Sequence, residues 1–187
     1  LTPEGEDATT FWGEGDEAIV KYANAICDTI DKYGYDGFDY DYEPNYGHRG
    51  NISGVPDAEK VFVEALSRRL GPKSGTDKML VIDGEPQTIN SELGPCFNYF
   101  IVQAYACTGD ANLDGRLQGT IMNFNGVLEP EEVAKKYIVT ENFENFALAG
   151  GVSFTDRNGN EMMSLEGMAR WQPIINGKKV QKGGIGT

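Results

Sequence analysis

The residues best suited to chemistry lie in one short stretch, which reads Asp36-Gly37-Phe38-Asp39-Tyr40-Asp41-Tyr42-Glu43-Pro44. Side chains of a β-strand alternate between two faces, so Asp39, Asp41 and Glu43 share one face and the aromatic residues share the other. The three acids then lie within roughly 13 Å, at about 3.3 Å per residue. Like charges at this spacing destabilise a fold and raise carboxyl pKa values. The stretch is therefore more typical of a functional site than of a scaffold.

Two kinds of chemistry fit these carboxylates. Asp41 and Glu43 start about 7 Å apart along the backbone, a spacing compatible with an inverting or a retaining pair of glycosidase acids. The same three acids could also bind Mg²⁺ or Ca²⁺, but the stretch lacks a metal-binding loop and phosphate-binding glycines. The aromatic face must pack against other elements in either case.

Composition narrows the class of protein. The chain has 187 residues and a net charge of -13, which disfavours nucleic acid and anionic membrane surfaces as partners. The single histidine nearly removes Ser-His-Asp and Cys-His mechanisms. Three cysteines do not form a disulfide framework, and we expect free buried thiols, with a Cys96–Cys107 pair as the alternative. Because no apolar run reaches about 18 residues and the sequence starts Leu-Thr-Pro-Glu, we expect neither a membrane span nor a signal peptide within these residues.

Apolar periodicity and turn residues predict helices and strands in alternation. The predicted helices are 16–34, 57–70 and 130–136, and the predicted strands are 36–43, 79–82, 97–105, 137–140 and a short one at 167–171. Asp16 and Asp57 are the expected N-caps of the first two helices, and Gly34 is the expected stop of the first. Asp110 to Gly115 is interpreted as an Asp/Asn/Gly turn. The alternative, half of a calcium-binding loop, would need a glutamate at Ile121. Lys178 to Thr187 is expected to be loosely ordered.

This order of elements predicts an α/β fold with a parallel sheet. Polar residues stand at or near the carboxyl ends of the predicted strands, where parallel barrels keep their catalytic groups. These residues are Glu43, Asp83, Gln103, Tyr105, Glu141, Asn142 and Trp171.

The motif Asp-Gly-Phe-Asp-Tyr-Asp-Tyr-Glu at 36–43 resembles the fourth-strand signature of glycoside hydrolase family 18. Gln103-Ala104-Tyr105 is similar to the endo-β-N-acetylglucosaminidase branch of that family, and Trp171 is similar to a tryptophan that floors a sugar subsite. The resemblance implies a (β/α)8 TIM barrel, of which this chain holds only the C-terminal five or so units. Residues 1–187 would then be a partial catalytic domain.

The resemblance also implies a mechanism and its residues. Glu43 is expected to be the general acid, Asp41 to hold the substrate acetamido N–H, and Asp39 to support Asp41. Gln103 and Tyr105 are expected to orient the acetamido group, while Asp36, Glu141, Asn142 and Trp171 are candidate glycan contacts.

The expected partner is an N-glycan or another N-acetylglucosamine-containing oligosaccharide, with no cofactor or metal. A chitinase and a non-catalytic glycan-binding protein remain alternatives. The resemblance further implies an exported protein, periplasmic, at the cell surface or extracellular.

Overall fold

The protein was analysed as a computed structural model, which describes residues 15–43, 58–142 and 151–187. The chain forms two compact units, Leu1–Asn98 and Tyr99–Thr187. Both contain parallel strands and helices, so the predicted α/β class is confirmed. The prediction of a single partial catalytic domain over 1–187 stays a prediction.

The first unit begins with helix α1 (Asp16–Tyr33), strand β1 (Gly37–Tyr42), helix α2 (Ala58–Ser67) and strand β2 (Met79–Gly84). A 3-10 helix (Ser91–Cys96) follows. The C-cap Gly34 has a φ of 72°, the left-handed conformation that glycine tolerates best, and it stops α1 as predicted. Asp16 is the first helical residue rather than the N-cap, which is Gly15.

The core of the first unit lies between the helices and one face of β1 and β2. Ile19, Ala23, Cys27 and Ile30 repeat along α1 at the spacing of a buried helix face. Arg69 joins the end of α2 to α1, with Nη1 2.6 Å from Asp28 and Nη2 2.5 Å from Asp31. The predicted cap Asp57 lies outside the described residues.

The second unit contains β3 (Tyr99–Gln103), α3 (Asp110–Asn123), α4 (Pro130–Lys136) and β4 (Tyr137–Thr140). It continues with the hairpin of β5 (Ser153–Thr155) and β6 (Glu161–Met163), then α5 (Ser164–Arg170). A second hairpin, β7 (Ile174–Ile175) and β8 (Lys178–Lys179), precedes β9 (Gly184–Gly186). Strand β4 pairs in parallel with β3 on one side and with β9 on the other.

Three sequence predictions for the second unit are wrong. Asp110 to Gly115 is neither a turn nor a calcium loop, because it opens the 14-residue helix α3. Residues 164–170 form helix α5 instead of a strand. The C-terminal tail is not loosely ordered, since Gly184–Gly186 pairs with Ile138, Val139 and Thr140.

Tertiary contacts explain two of these errors, those at the start of α3 and in the C-terminal tail. The buried carboxylate of Asp110 accepts hydrogen bonds from the backbone N–H and the Nε of Arg157, which lies 47 residues away. In the tail, a Cβ on Gly183 would stand 2.9 Å from the carbonyl carbon of Lys136. Glycine is therefore what allows this segment to approach the sheet closely.

Candidate functional site

The acids of β1 lie on an open face of the strand. Asp39 and Asp41 are exposed, Tyr40 and Tyr42 between and beside them are buried, and Glu43 at the strand's carboxyl end is half-buried. The predicted separation into an acidic and an aromatic face is confirmed. The open face is the one on which a ligand could reach the carboxylates.

The aromatic face fixes the position of β1 against α2. The ring of Phe62 packs edge-on against Tyr40 at a centroid distance of 5.4 Å and against Phe38 at 6.4 Å. The hydroxyl of Tyr42 donates to Glu59 Oε2 at 3.0 Å. Buried aromatic contacts of this kind hold the strand, and with it the direction of its acids, against a helix.

Strand β2 adds a fourth acid to the same face. Asp41 is the register partner of Asp83, and Asp39 is the partner of Val81. Register partners in neighbouring strands project to the same side, so Asp83 stands beside Asp41. The carboxylate of Asp83 also accepts the Gly84 N–H at 2.7 Å. The sequence indicated Asp83 as a candidate because it stands at the end of a predicted strand. Only the strand register shows that it is a neighbour of Asp41.

Two glycines allow the close approach of β1 and β2. A Cβ on Gly37 would lie 2.2 Å from the carbonyl oxygen of Met79. Gly84, with a φ of 97°, is so close to the end of β1 that an added Cβ would lie 2.8 Å from Glu43 Cγ. The glycine at position 84 thus shapes the space in which the Glu43 side chain sits.

Partial burial, together with the crowding of acids, raises the pKa of Asp39. This residue is exposed, yet neighbouring protein atoms partly desolvate its carboxyl group. The desolvation, followed by the negative charges of Asp83 and Asp41, raises the pKa of Asp39 to about 6. A proton is therefore retained in the acid cluster well above the ordinary titration range of aspartate.

Asp36 does not belong to this cluster by position. It precedes β1, is exposed, and uses its backbone carbonyl to accept the N–H of Met79 at 2.8 Å. Seven residue-to-residue steps lead from Asp36 to Glu43, or roughly 23 Å along the strand. Its expected contact with glycan stays a prediction that these surroundings do not support.

In the second unit, Gln103 ends β3 half-buried and Tyr105 follows in a turn with its side chain 38% exposed. The turn is closed by the Cys107 N–H, which donates to the Ala104 carbonyl at 3.1 Å. Ala106 has a φ of 56°, which is unusual for a residue with a Cβ. Tyr105 is thus presented to solvent by a constrained turn at the carboxyl end of a strand.

Glu141 is a buried structural acid rather than an exposed ligand contact. It is 0% exposed, and its Oε1 accepts the N–H groups of Ala106 at 3.1 Å and Asn142 at 3.0 Å. Its Oε2 accepts the hydroxyl of Ser164. The expectation that Glu141 contacts glycan has no support from this environment, whereas Asn142 is half-buried and its expected contact stays a prediction.

Trp171 also differs from its expected role. It follows helix α5, is 1% exposed, and its Nε1 donates to Asp114 Oδ1 at 2.9 Å. Its ring meets Tyr137 edge-on at 6.3 Å. A buried indole offers no face to a sugar, so the sugar-floor interpretation is without support in this structure.

Within 15–43, 58–142 and 151–187, no group of three or more His, Cys, Asp or Glu residues is arranged to bind a metal ion. Over the same ranges, no helix combines the length and apolarity that crossing a membrane requires. Cys27, Cys96 and Cys107 are buried and free, as expected.

Comparisons with known proteins agree with the acidic strand and the α/β architecture. The sequence profile of glycoside hydrolase family 18, BT1044-like, matches residues 5–187. Endo-beta-N-acetylglucosaminidase F2 of Elizabethkingia meningoseptica is 29% identical in an alignment of length 195, which covers 95% of this chain and 49% of that protein.

Two solved structures are similar as well. A BT1044 variant has a TM-score of 0.76 and 32% identity, covering 100% of this chain and 59% of that one. An endo-beta-N-acetylglucosaminidase from Cordyceps militaris has a TM-score of 0.61 and 26% identity, covering 96% and 55%. The chain spans about half the length of the curated relative.

The parallel strands, with acids at the end of one of them, define a glycosidase family of the TIM-barrel class. This chain contains part of that barrel fold. The chain belongs to glycoside hydrolase family 18, in its BT1044-like group.

Proposed function

We propose that the chain carries the catalytic strand of an endo-β-N-acetylglucosaminidase that cleaves the chitobiose core of N-glycans. The observation that carries this proposal is the open acidic face of β1 and β2. It holds Asp39 and Asp41 along β1, with Glu43 and Asp83 at the carboxyl ends of the two parallel strands. The names of the relatives from Elizabethkingia meningoseptica and Cordyceps militaris support the choice of reaction.

In the proposed mechanism, Glu43 protonates the glycosidic oxygen as the bond breaks. The acetamido oxygen of the substrate attacks its own anomeric carbon, so the protein supplies no nucleophile. Asp41 accepts the acetamido N–H and stabilises the positive oxazolinium ion. Water then opens this ion, with Glu43 as the base, and the configuration at the anomeric carbon is retained.

Asp39 supports Asp41 in this scheme. Its pKa of about 6 means that it keeps a proton in mildly acidic solution. A protonated carboxyl is a hydrogen-bond donor, and a donor beside Asp41 lets that residue remain an acceptor for the substrate N–H. Gln103 and Tyr105 are assigned to orient the acetamido group.

The experiment uses the intact protein that contains this chain and compares Glu43→Gln with the wild type on ribonuclease B as a glycoprotein substrate. General acid catalysis contributes about 10²–10⁴-fold, so the rate of glycan release should fall at least about 100-fold. Glu64→Gln is the matched control, because it makes the same chemical change at an exposed position of α2. A Glu43→Gln rate within about tenfold of the wild type contradicts the assignment.

Colloidal chitin as a second substrate separates this function from that of a chitinase. Release of chitooligosaccharides without release of N-glycans would favour the chitinase. Glycan binding in calorimetry without turnover over days would identify a glycan-binding protein on the same fold.

An exported location belongs to the same proposal, and fractionation of the producing cells with an antibody against the protein tests it.

A further inference from the structure

The turn that carries Tyr105 is held by a buried carboxylate from the end of a neighbouring strand. Glu141 follows β4 directly, and its backbone N–H donates to the Gly186 carbonyl of β9 at 3.1 Å. Its side-chain Oε1 receives the Ala106 N–H at 3.1 Å, across 35 residues of sequence. Glu141, which is held at the end of the sheet, is thereby hydrogen-bonded to the residue that follows Tyr105.

The geometry of the turn shows what this hydrogen bond does. Ala104 to Cys107 form a four-residue turn in which the third residue, Ala106, has a positive φ and the second, Tyr105, does not. This is the pattern of a type II turn, which favours glycine at the third position. The Ala106 N–H belongs to the central peptide, and the type I alternative would rotate that peptide by roughly half a turn.

The carboxylate of Glu141 is itself held in place. Ser164 donates its hydroxyl to Oε2 and accepts the Val152 N–H at 3.1 Å, while Asn142 donates its N–H to Oε1. A Cβ on Gly151 would lie 1.8 Å from Ser164 Oγ and 3.2 Å from Glu141 Oε2. The Glu141 carboxylate is therefore tightly packed on this side. Charge-assisted hydrogen bonds of this kind are stronger than neutral ones and can oppose the steric cost of the positive φ.

We propose that Glu141 is a positioning residue. By accepting the Ala106 N–H, it fixes the peptide between Tyr105 and Ala106 and so sets the direction in which Tyr105 leaves the turn. The inference rests on the proposed function, in which Tyr105 orients the substrate acetamido group. Glu141 itself is buried and does not touch the substrate.

The first test compares Glu141→Ala with Glu141→Gln in the intact protein, measuring kcat and KM for glycan release and the melting temperature. Glu141→Ala should lower kcat by about 100-fold, the effect of displacing a positioned group by an ångström. Glu141→Gln keeps an oxygen that accepts the Ala106 N–H, and it should recover most of the loss. Equal kcat in wild type and in folded Glu141→Ala overturns the proposal.

A double-mutant cycle then asks whether Glu141 acts through Tyr105. If it does, Glu141→Ala adds no more than about threefold to the kcat loss of Tyr105→Phe. Fully multiplicative losses would mean that Glu141 acts elsewhere, which contradicts the assignment.

A second pair of variants keeps the core intact. Ala106→Pro removes the N–H and enforces a negative φ at an exposed position, so it should reproduce the kcat loss of Glu141→Ala. Ala106→Gly keeps the donor and tolerates the positive φ, so its kcat should stay well above that of the proline variant. The proposal fails if the two variants have the same kcat.

Hydrogen exchange of the Ala106 amide gives a readout that does not depend on turnover. The amide should be protected in the wild type, and it should lose protection in Glu141→Ala. This result supports the hydrogen bond between Ala106 and Glu141 as the anchor of the turn, whether or not the protein releases glycan. If the wild type and Glu43→Gln both release no glycan, only the proposed function is contradicted. Unchanged protection in Glu141→Ala overturns the anchoring whatever the activity.

Discussion

Asp41 and Asp83 are register partners on neighbouring parallel strands, and their carboxylates project to the same open face. Asp39 lies two residues before Asp41 on β1 and projects to the same face. Its carboxyl group therefore lies on the face that also holds Asp41 and Asp83. The raised pKa of Asp39 comes first from partial burial of its carboxyl group and then from the negative charges of Asp83 and Asp41, so the neighbouring strand contributes to it.

Removing the charge of Asp83 should therefore lower the pKa of Asp39. In Asp83→Asn the repulsion from the neighbouring strand is lost, and the Asp39 pKa should move from about 6 toward the ordinary value of 3.8. Carboxyl carbon chemical shifts in an NMR titration measure the change. Asp77→Asn, at an exposed position preceding β2, is the control and should leave the Asp39 titration unchanged.

The raised pKa of Asp39 also predicts how stability depends on pH. Between about pH 4 and pH 6 the folded protein keeps the Asp39 proton that the unfolded chain has lost, so this residue's contribution to stability falls as the pH rises. Asp39→Asn removes the contribution. The free energy of unfolding of the variant, relative to the wild type, should increase from pH 4 to pH 6 and be constant above that range.

Urea unfolding at several pH values measures that difference. A difference that does not change with pH would show that the folded and unfolded states titrate Asp39 alike, which contradicts the raised pKa.

Gly84→Ala should impair both stability and glycan release. The new methyl would lie 2.7 Å from the Tyr42 carbonyl oxygen and 2.8 Å from Glu43 Cγ, at a residue whose φ is 97°. We expect the proposed acid to be displaced, with a loss in kcat of about 10–100-fold.

Gly75→Ala separates backbone strain at a positive φ from displacement of Glu43 by the new methyl group. Gly75 also has a positive φ, of 73°, but a Cβ there would meet nothing within 4 Å. Its alanine variant should lose about 1 kcal/mol or more of stability through backbone strain while keeping the wild-type kcat. If both variants have the same kcat, Gly84 does not shape the position of Glu43.

Trp171→Phe distinguishes a core tryptophan from a sugar platform. The variant loses the hydrogen bond from Nε1 to Asp114, and bonds to charged groups contribute about 1.5–3 kcal/mol. The free energy of unfolding should fall by about that amount, and KM for the glycan should not change. A KM increase of about tenfold or more without loss of stability would restore the sugar-floor interpretation.

Local patterns predicted the helices and strands whose signals lie within a few neighbouring residues. The bounds of α4 and β4 at 130–140 were predicted residue by residue, because Pro130 marks the helix start and Tyr137 to Thr140 form a compact apolar run. Helix α3 was missed although Leu113, Leu117 and Phe124 repeat at helical spacing, because Asp, Asn and Gly at its start favour a turn locally.

The sequence by itself determined the acidic and aromatic faces of β1, since alternation along a strand depends only on the order of its residues. The tertiary structure decided which distant groups meet those faces. It places Asp83 beside Asp41, ties the Ala106 N–H to Glu141, and buries Trp171 against Asp114. Each of these contacts joins residues that are more than thirty positions apart, and pairings over such distances depend on sheet register and packing, which no local pattern encodes.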